Sequence, residues 1–230
     1  PPGLFRKHQQ VELEVRAFDG EQEGPAAAAT LTVRNTPPTA PEVEIRPAAP
    51  RRGEPLRAAV AAPSTDPDRD PLTYAFAWRK NGKPLQPGGD GREVPGAEVA
   101  RGDTFELTVT ASDGEASSPP ATAKVAVRNT PPLPPRIALE PRRPLGGEPL
   151  RVVVLEPARD ADGDRVTLSF AWTREGRATG ESADTLAAAQ LGKHERVRVV
   201  VTPHDGADAG ATATDEVLVE DAPPGALPCY

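Results

Sequence analysis

Two stretches of the chain carry aspartates at alternate positions, a spacing that suits a hard metal ion. Residues 160–164 read Asp-Ala-Asp-Gly-Asp, and residues 66–70 read Asp-Pro-Asp-Arg-Asp. In an extended loop such carboxylates can face one centre, where a divalent cation relieves their mutual repulsion. Ca²⁺ accepts about six to eight oxygen ligands, so both loops are candidate calcium sites. Neither is an EF-hand, because the twelfth position holds Ala171 in one copy and Ala77 in the other.

The competing interpretation is that these aspartates only form turns. Asp-Gly and Asp-Pro pairs favour tight turns without any metal, and for an isolated Asp-Gly pair this explanation is preferred. Two copies of the alternating pattern, each ahead of an equivalent strand, favour calcium. In the loop at 66–70, Arg69 stands where the other loop has Gly163, and Pro71 comes directly after the loop. The sequence therefore favours the loop at 160–164 as the stronger site.

The aspartate loops belong to an internal repeat. The sequence Val-Arg-Asn-Thr-Pro-Pro at residues 33–38 recurs at 127–132, so Asn35 and Asn129 lie 94 residues apart, and the same offset carries Trp78 onto Trp172. A period of this length suits an independently folding sandwich rather than a solenoid unit. We predict four segments: a partial repeat at 1–36, complete repeats at 37–130 and 131–224, and a tail or the start of a further segment at 225–230.

Alternating apolar residues predict strands throughout the repeats. Leu72, Tyr74, Phe76 and Trp78 fall on one face at period two, and Asn81-Gly82 then predicts a hairpin turn. No long helix is indicated, and residues 183–191 are the one helix-like exception. The predicted fold class is all-β: tandem immunoglobulin-like β-sandwiches of about seven strands, joined by proline-rich linkers.

The partial repeat predicts only the last two strands of a sandwich. Val11, Leu13 and Val15 would share an inner face with Leu31 and Val33. A two-stranded hairpin is marginal alone, which leaves two alternatives. Either the chain is an excerpt of a longer array, which is slightly preferred, or another subunit supplies the missing strands by strand complementation.

In an immunoglobulin-like topology, the B–C loop, the F–G loop and the entering linker meet at one end of the sandwich. The aspartate loop is the B–C loop, an Asp-Gly pair forms the F–G turn, and Asn-Thr lies in the linker. The predicted calcium ligands are Asn129, Asp160, Asp162, Asp164 and Asp205 at one junction, and Asn35, Asp66, Asp68, Asp70 and Asp113 at the preceding one.

Composition excludes several function classes. The net charge is −7 and the chain has no basic patch, so nucleic acid is not an expected partner. No apolar run reaches the roughly 20 residues that cross a bilayer. The chain has no methionine and no signal peptide, so we expect a processed product or an excerpt. The single cysteine, Cys229, permits no internal disulfide.

No constellation of residues predicts catalysis. His204 neighbours Asp205, but no serine or cysteine nucleophile accompanies this pair, and the matching places in the other repeats hold Phe18 and Ser112. A surface histidine is therefore the preferred interpretation, and the chain is not expected to be an enzyme. Carbohydrate binding usually needs exposed aromatic platforms, but five aromatic residues are predicted to lie in the core: Tyr74, Phe76, Trp78, Phe170 and Trp172.

The chain resembles tandem bacterial repeats of the PKD-type and cadherin-like class. The likeness rests on Asp-x-Asp-Gly-Asp before Val-Thr, the Phe-x-Trp that follows, the Asp-Gly of the F–G turn and the Asn-Thr-Pro-Pro linker, and it covers residues 1–224. The chain lacks the fuller acidic linker of true cadherins and the Gly-Asp-Gly that follows the tryptophan in PKD domains. The resemblance implies extracellular stalks, adhesins or accessory modules of secreted enzymes.

The leading hypothesis is a non-catalytic rod of tandem repeats, stiffened by calcium, in a bacterial extracellular or cell-surface structure such as a stalk, adhesin or fibre. Its expected partners are neighbouring repeats or identical subunits, and a cell-surface or polysaccharide ligand. The alternative is a polysaccharide-binding accessory module of a secreted hydrolase, which exposed aromatics in a row would favour.

Overall fold

The computed structural model describes residues 4–221 and divides the chain into two compact units, Pro1–Val127 and Arg128–Tyr230. Both units are built from antiparallel strands. The predicted division at 36, 130 and 224 stays a prediction, and the tail at 225–230, with Cys229, lies outside the described residues.

Nine strands lie in the described part of the first unit, residues 4–127. In chain order they are β1 (Gln10–Val15), β2 (Ala27–Thr32), β3 (Glu42–Arg46), β4 (Leu56–Ala62), β5 (Thr73–Lys80), β6 (Lys83–Leu85), β7 (Glu93–Val94), β8 (Thr104–Ser112) and β9 (Ala121–Ala126). The strands β1 and β2 form a separate hairpin. The others form a sheet in the order β3-β4-β7 and a second in the order β6-β5-β8-β9.

The second unit repeats the seven-strand arrangement. Its strands are β10 (Arg136–Glu140), β11 (Leu150–Glu156), β12 (Thr167–Arg174), β13 (Arg177–Ala178), β14 (Thr185–Leu186), β15 (Arg196–His204) and β16 (Ala213–Leu218). They pair in the orders β10-β11-β14 and β13-β12-β15-β16. The prediction of all-β, seven-stranded immunoglobulin-like sandwiches is confirmed. In strand letters the sheets are A-B-E and C′-C-F-G.

The helix-like character assigned to residues 183–191 was wrong. This stretch holds the short strand β14 and a single 3₁₀ turn at Ala188–Gln190. Leu186, in β14, and Leu191, directly after the 3₁₀ turn, are both buried. The chain crosses the end of the sandwich between these two anchors, and five positions are too few for a helix to do so. The first sandwich has a matching 3₁₀ turn at Gly96–Glu98.

A tryptophan anchors each core. Trp78 and Trp172 are almost fully buried, and each indole N–H donates to a backbone carbonyl, of Gly91 at 2.7 Å and of Ala183 at 2.8 Å. The strand opposite each tryptophan alternates buried and less buried residues along β8 and β15. The period-two pattern read from the sequence therefore positions the core correctly.

The turn after each tryptophan strand is a two-residue hairpin. Asn81 and Gly82 have φ of 51° and 77°, and Glu175 and Gly176 have φ of 46° and 74°. Positive φ at both central positions matches the twist of the flanking strands. Glu175 adopts a positive φ although glutamate tolerates it less well than asparagine does. The hairpin geometry is therefore held by strand pairing as well as by turn chemistry.

Within residues 4–221, none of the helical segments has the length and hydrophobicity that a bilayer-spanning helix needs.

Candidate cation site at the sandwich tip

The aspartate loop of the second sandwich is organised by one carboxylate. Asp160 Oδ1 accepts the backbone N–H groups of Asp162 at 2.8 Å and of Asp164 at 3.0 Å. These bonds wrap the loop around Asp160. Its other oxygen, Oδ2, is buried and has no hydrogen-bond partner among the described residues. One oxygen from each of the three aspartates lies within 4.8 Å of the other two, which is the arrangement that the sequence predicts.

The loop of the first sandwich has the same hydrogen bonds. Asp66 Oδ1 accepts from the N–H groups of Asp68 at 2.8 Å and of Asp70 at 3.2 Å, and Asp66 Oδ2 is buried without a hydrogen-bond partner in the described part of the chain. The oxygens that gather within 4.8 Å here belong to Asp66, Asp70 and Asp113. The loop fold therefore persists although Arg69 replaces the glycine.

Arg69 takes the left-handed conformation that glycine would supply. Its φ is 67°, and Gly163 in the other loop has φ of 86°. A non-glycine residue at such a φ costs of order 1 kcal/mol or more. The first loop is thus folded at a backbone cost that the second avoids.

The middle aspartate of each loop holds the linker. Asp162 Oδ2 accepts the backbone N–H of Thr130 at 2.7 Å, and Asp68 Oδ2 accepts that of Thr36, also at 2.7 Å. Both are charge-assisted hydrogen bonds. Each loop therefore fixes the backbone of the Asn-Thr linker segment against the tip of its own sandwich.

The linker asparagines contact the F–G turns. Asn129 Nδ2 donates to Asp205 at 2.7 Å and to Asp208 at 2.9 Å, and Asn35 Nδ2 donates to Asp113 at 2.8 Å. The asparagines therefore present N–H groups to the aspartates, whereas the predicted role of both residues was to offer an oxygen to an ion. Asn129 Oδ1 is buried and has no hydrogen-bond partner among the described residues, so this oxygen alone is placed to act as a ligand.

The aspartates of the F–G turns act as turn formers. Asp113 Oδ1 accepts the N–H groups of Glu115 at 2.8 Å and of Ala116 at 2.7 Å. The Ala116 N–H, followed by the Asn35 amide, lowers the pKa of Asp113 to about 2. Asp205 Oδ1 accepts two N–H groups in the same way. For these Asp-Gly pairs, turn chemistry accounts for the Oδ1 atom, and the linker asparagine occupies Oδ2.

A lysine that was not among the predicted site residues, Lys7, reaches the aspartates of the first sandwich. Its ammonium lies 2.5 Å from Asp70 Oδ2 and 3.7 Å from Glu115 Oε2, and it donates to Asn35 Oδ1 at 3.2 Å. The hydrogen bond to Asp70 raises the pKa of Lys7. A positive charge from the partial repeat thus already compensates the aspartates of the first sandwich.

A signal for Lys7 is present in the sequence. The equivalent positions in the next two copies are Arg101 and Lys193, so every copy carries a basic residue here. Lys193 Nζ lies 3.1 Å from Asp221, and its hydrogen bond lowers the pKa of Asp221. Asp221 stands where the earlier linkers have asparagine. The Lys7–Asn35 and Lys193–Asp221 contacts each tie the loop ahead of strand F to the residues that follow strand G.

One histidine has a serine neighbour. Ser169 Oγ lies 3.2 Å from His204 Nε2 across the pairing of β12 with β15. Cross-strand contacts of this kind are ordinary in sheets. Asp205 Oδ1 accepts the backbone N–H groups of Ala207 and Asp208, and its Oδ2 accepts from Asn129.

No protein-family model matches the chain, and no curated protein matches it in sequence. Among solved structures, the FN1–FN3 domains of chicken CNTN1 share 12% identity at a TM-score of 0.35, over 93% of this chain and 77% of that one. A two fibronectin type III domain segment from chicken tenascin shares 14% identity at a TM-score of 0.39, over 80% and 100%. Both likenesses are too weak to indicate a function, whereas the strand orders A-B-E and C′-C-F-G define the sandwich fold.

Proposed function

We propose that the chain is a non-catalytic tandem-repeat module of a bacterial extracellular or cell-surface structure, a stalk, adhesin or fibre, in which Ca²⁺ stiffens the linkers. The tandem seven-stranded sandwiches supply the repeat. The extracellular role and the assignment to PKD-type or cadherin-like repeats rest on the motif resemblance alone. The proposed partners are neighbouring repeats or identical subunits.

The buried, unpartnered carboxylate oxygens carry the calcium part of this proposal. Asp160 Oδ2 and Asp66 Oδ2 have no hydrogen-bond donor in the described residues. Burying a charged oxygen without a partner is costly, and a hard cation removes that cost. Asn129 Oδ1 offers a further neutral oxygen at the second sandwich. The donor set is all oxygen, which fits Ca²⁺ better than a softer metal.

The two sandwich tips, which carry the aspartate loops at residues 66–70 and 160–164, are proposed to differ in how readily they bind Ca²⁺. The first tip holds the ammonium of Lys7 against Asp70, so a calcium ion there would have to displace a bonded cation. The second tip has the glycine-containing loop and the buried oxygens of Asp160 and Asn129. When bound, the ion would compensate the carboxylate charge next to Thr130, whose N–H already bonds Asp162. The linker would then be less free to bend.

A calcium titration followed by melting tests the proposal. Extracellular modules bind Ca²⁺ with Kd of about 10⁻⁴–10⁻³ M. At about 10 mM Ca²⁺, mass action then stabilises the second sandwich by about 1.4–2.7 kcal/mol. Its melting temperature should rise by roughly 5–20 °C for a domain of this size.

Matched variants separate the site from general charge effects. Asp160→Asn keeps an acceptor for the loop N–H groups but removes the charge, and it should abolish the response to calcium. Asp184→Asn removes the same charge from an exposed position outside the aspartate loops and should leave the response intact. An equal response in both variants would contradict a site at Asp160. Small-angle scattering of the full chain should also show a narrower range of end-to-end distances with calcium.

The polysaccharide-binding alternative has no specific support from the described residues. It requires exposed aromatics in a row, but both tryptophans are buried, and the Arg92 guanidinium covers the ring of Phe76 at 4.9 Å. The exposed phenylalanines, Phe5 and Phe18, belong to the partial repeat and not to either sandwich. Retarded migration in affinity gels that contain soluble polysaccharides would favour it.

A further inference from the structure

The β1–β2 hairpin exposes side chains whose equivalents form a core. Leu13 is 62% exposed and Phe5 is 53% exposed. At an offset of 94 residues, Leu107 is 0% exposed and Val99 is 2% exposed. The hairpin therefore presents an apolar face of the kind that each sandwich covers with its other strands.

The hairpin has the same register as its buried equivalent. Gln10 pairs with Thr32, and the equivalent residues Thr104 and Ala126 pair with each other. The bend ahead of the first strand also recurs. His8, Gly102 and His194 have φ of 66°, 81° and 60°. Their N–H groups donate to the carbonyls of Val33, Val127 and Val219. The partial repeat is thus already shaped as the F–G hairpin of a complete sandwich.

One edge of β1 is open in the described residues. The strand β8 pairs with β9 on one side and with β5 on the other, whereas β1 pairs only with β2. The carbonyl of Thr104 accepts the Asn81 N–H on the β5 side. In an antiparallel pair the backbone N–H and C=O groups of every second residue point to the same neighbour, so from Thr104 onward every second residue of β8 directs these groups to β5. Glu106 and Thr108 are among these residues, and their equivalents 94 positions earlier are Glu12 and Glu14. The backbone N–H and C=O groups of Glu12 and Glu14 therefore face the open edge of β1.

The loop into Phe5 indicates where a covering segment would enter. In the complete sandwiches, strand E ends at Val94 and at Leu186. The buried residues Val99 and Leu191, which correspond to Phe5, follow five positions later. A strand E that covered this hairpin would therefore end about five residues ahead of Phe5.

We propose that the exposed hairpin face accepts the first five strands of a repeat of this same type, connected through the residues that lead into Phe5. The strand equivalent to β5 would pair with β1 and place its tryptophan opposite Leu13, as Trp78 lies opposite Leu107. A second copy of this chain is a poorer occupant, because its residues 37–98 already cover its own β8–β9 hairpin. Donating them would expose as much apolar surface as it covers.

A duplication tests the proposal. A second copy of residues 37–98 is joined directly ahead of Phe5 in the full chain. This junction is chosen because Val99, the residue that follows 98, is the equivalent of Phe5. Hydrogen exchange is then measured at the amides of Glu12 and Glu14. Exchange at these amides should slow to the rates of their β8 equivalents, Glu106 and Thr108.

Three controls make the outcome decisive. The mutation Trp78→Ala, made only in the added copy, should abolish the protection. A second donor, residues 131–190 joined ahead of Phe5, should restore it, which guards against a fusion that fails to fold. A separate polypeptide of residues 37–98, added to the unfused chain, should protect β1 less than either fusion.

Protection by neither fusion would overturn the proposal, and so would equal protection by the separate polypeptide. The same holds if the unfused chain protects β1 by self-association as its concentration rises. None of these readouts depends on calcium, so the test can fail while the proposed function stands.

Discussion

Replacement of Trp172 by alanine should unfold the second sandwich selectively. The indole is 1% exposed, and its N–H donates to the Ala183 carbonyl. Truncation of a buried tryptophan costs about 3–5 kcal/mol, and the unmatched carbonyl adds about 1 kcal/mol. A sandwich of this size has a stability of about 5–14 kcal/mol at roughly 0.05–0.15 kcal/mol per residue. The loss therefore removes a large share of the stability or all of it.

Calorimetry of the full chain measures this effect. The transition of the second unit should fall by about 16 °C or more, at roughly 4–8 °C per kcal/mol, or should vanish. The remaining tryptophan, Trp78, reports on the first unit by fluorescence, and its transition should not move. Trp78→Ala is the matched control that shifts the other transition. A second-unit transition that stays within a few degrees of wild type would refute the assignment of Trp172 to the core.

Three further predictions concern the tips. Lys7→Met should give the first unit a larger rise in melting temperature with calcium than wild type shows, because the competing ammonium is gone; an unchanged response would contradict this role for Lys7. The Asp113 carboxyl should titrate near pH 2 by NMR, and Asn35→Ala should raise its pKa. Because its folded pKa lies below the ordinary value of 3.8, the stability it contributes is full above about pH 4. That stability is lost as the pH falls toward 2. Without calcium, Asp160→Ala should destabilise the second unit by about 2–4 kcal/mol, since two N–H groups lose a charged acceptor. Asp160→Asn should cost about 1 kcal/mol in the same denaturation assay.

The strands could be predicted because burial alternates along them. Phe105, Leu107 and Val109 are buried at every second position, and that pattern is visible in the sequence alone. The gathering of Asp66 with Asp113 also follows from topology, because the B–C and F–G loops share one end of the sandwich. Residue types and spacing were sufficient for both inferences.

The direction of each polar contact could not be predicted. An asparagine in a linker can offer an oxygen or an N–H, and only the nearby acceptors decide which. Asn35 and Asn129 turn their N–H groups to aspartates. The recurring basic residue marks the position of Lys7, but its partner could not be predicted, since its long side chain reaches Asp70 from 63 positions away in sequence. The short run at 183–191 was ambiguous because two buried leucines five positions apart fit several backbones.

The bond from Thr130 to Asp162 limits which linkers the fold can accept. The aspartate binds the backbone amide and not the threonine side chain, so substitution to alanine or serine keeps the contact. Proline has no amide hydrogen and removes it. The two prolines that follow, Pro131 and Pro132, therefore cannot be moved one residue earlier. A library of linkers selected for folding should tolerate most residues at position 130 but reject the imino acid.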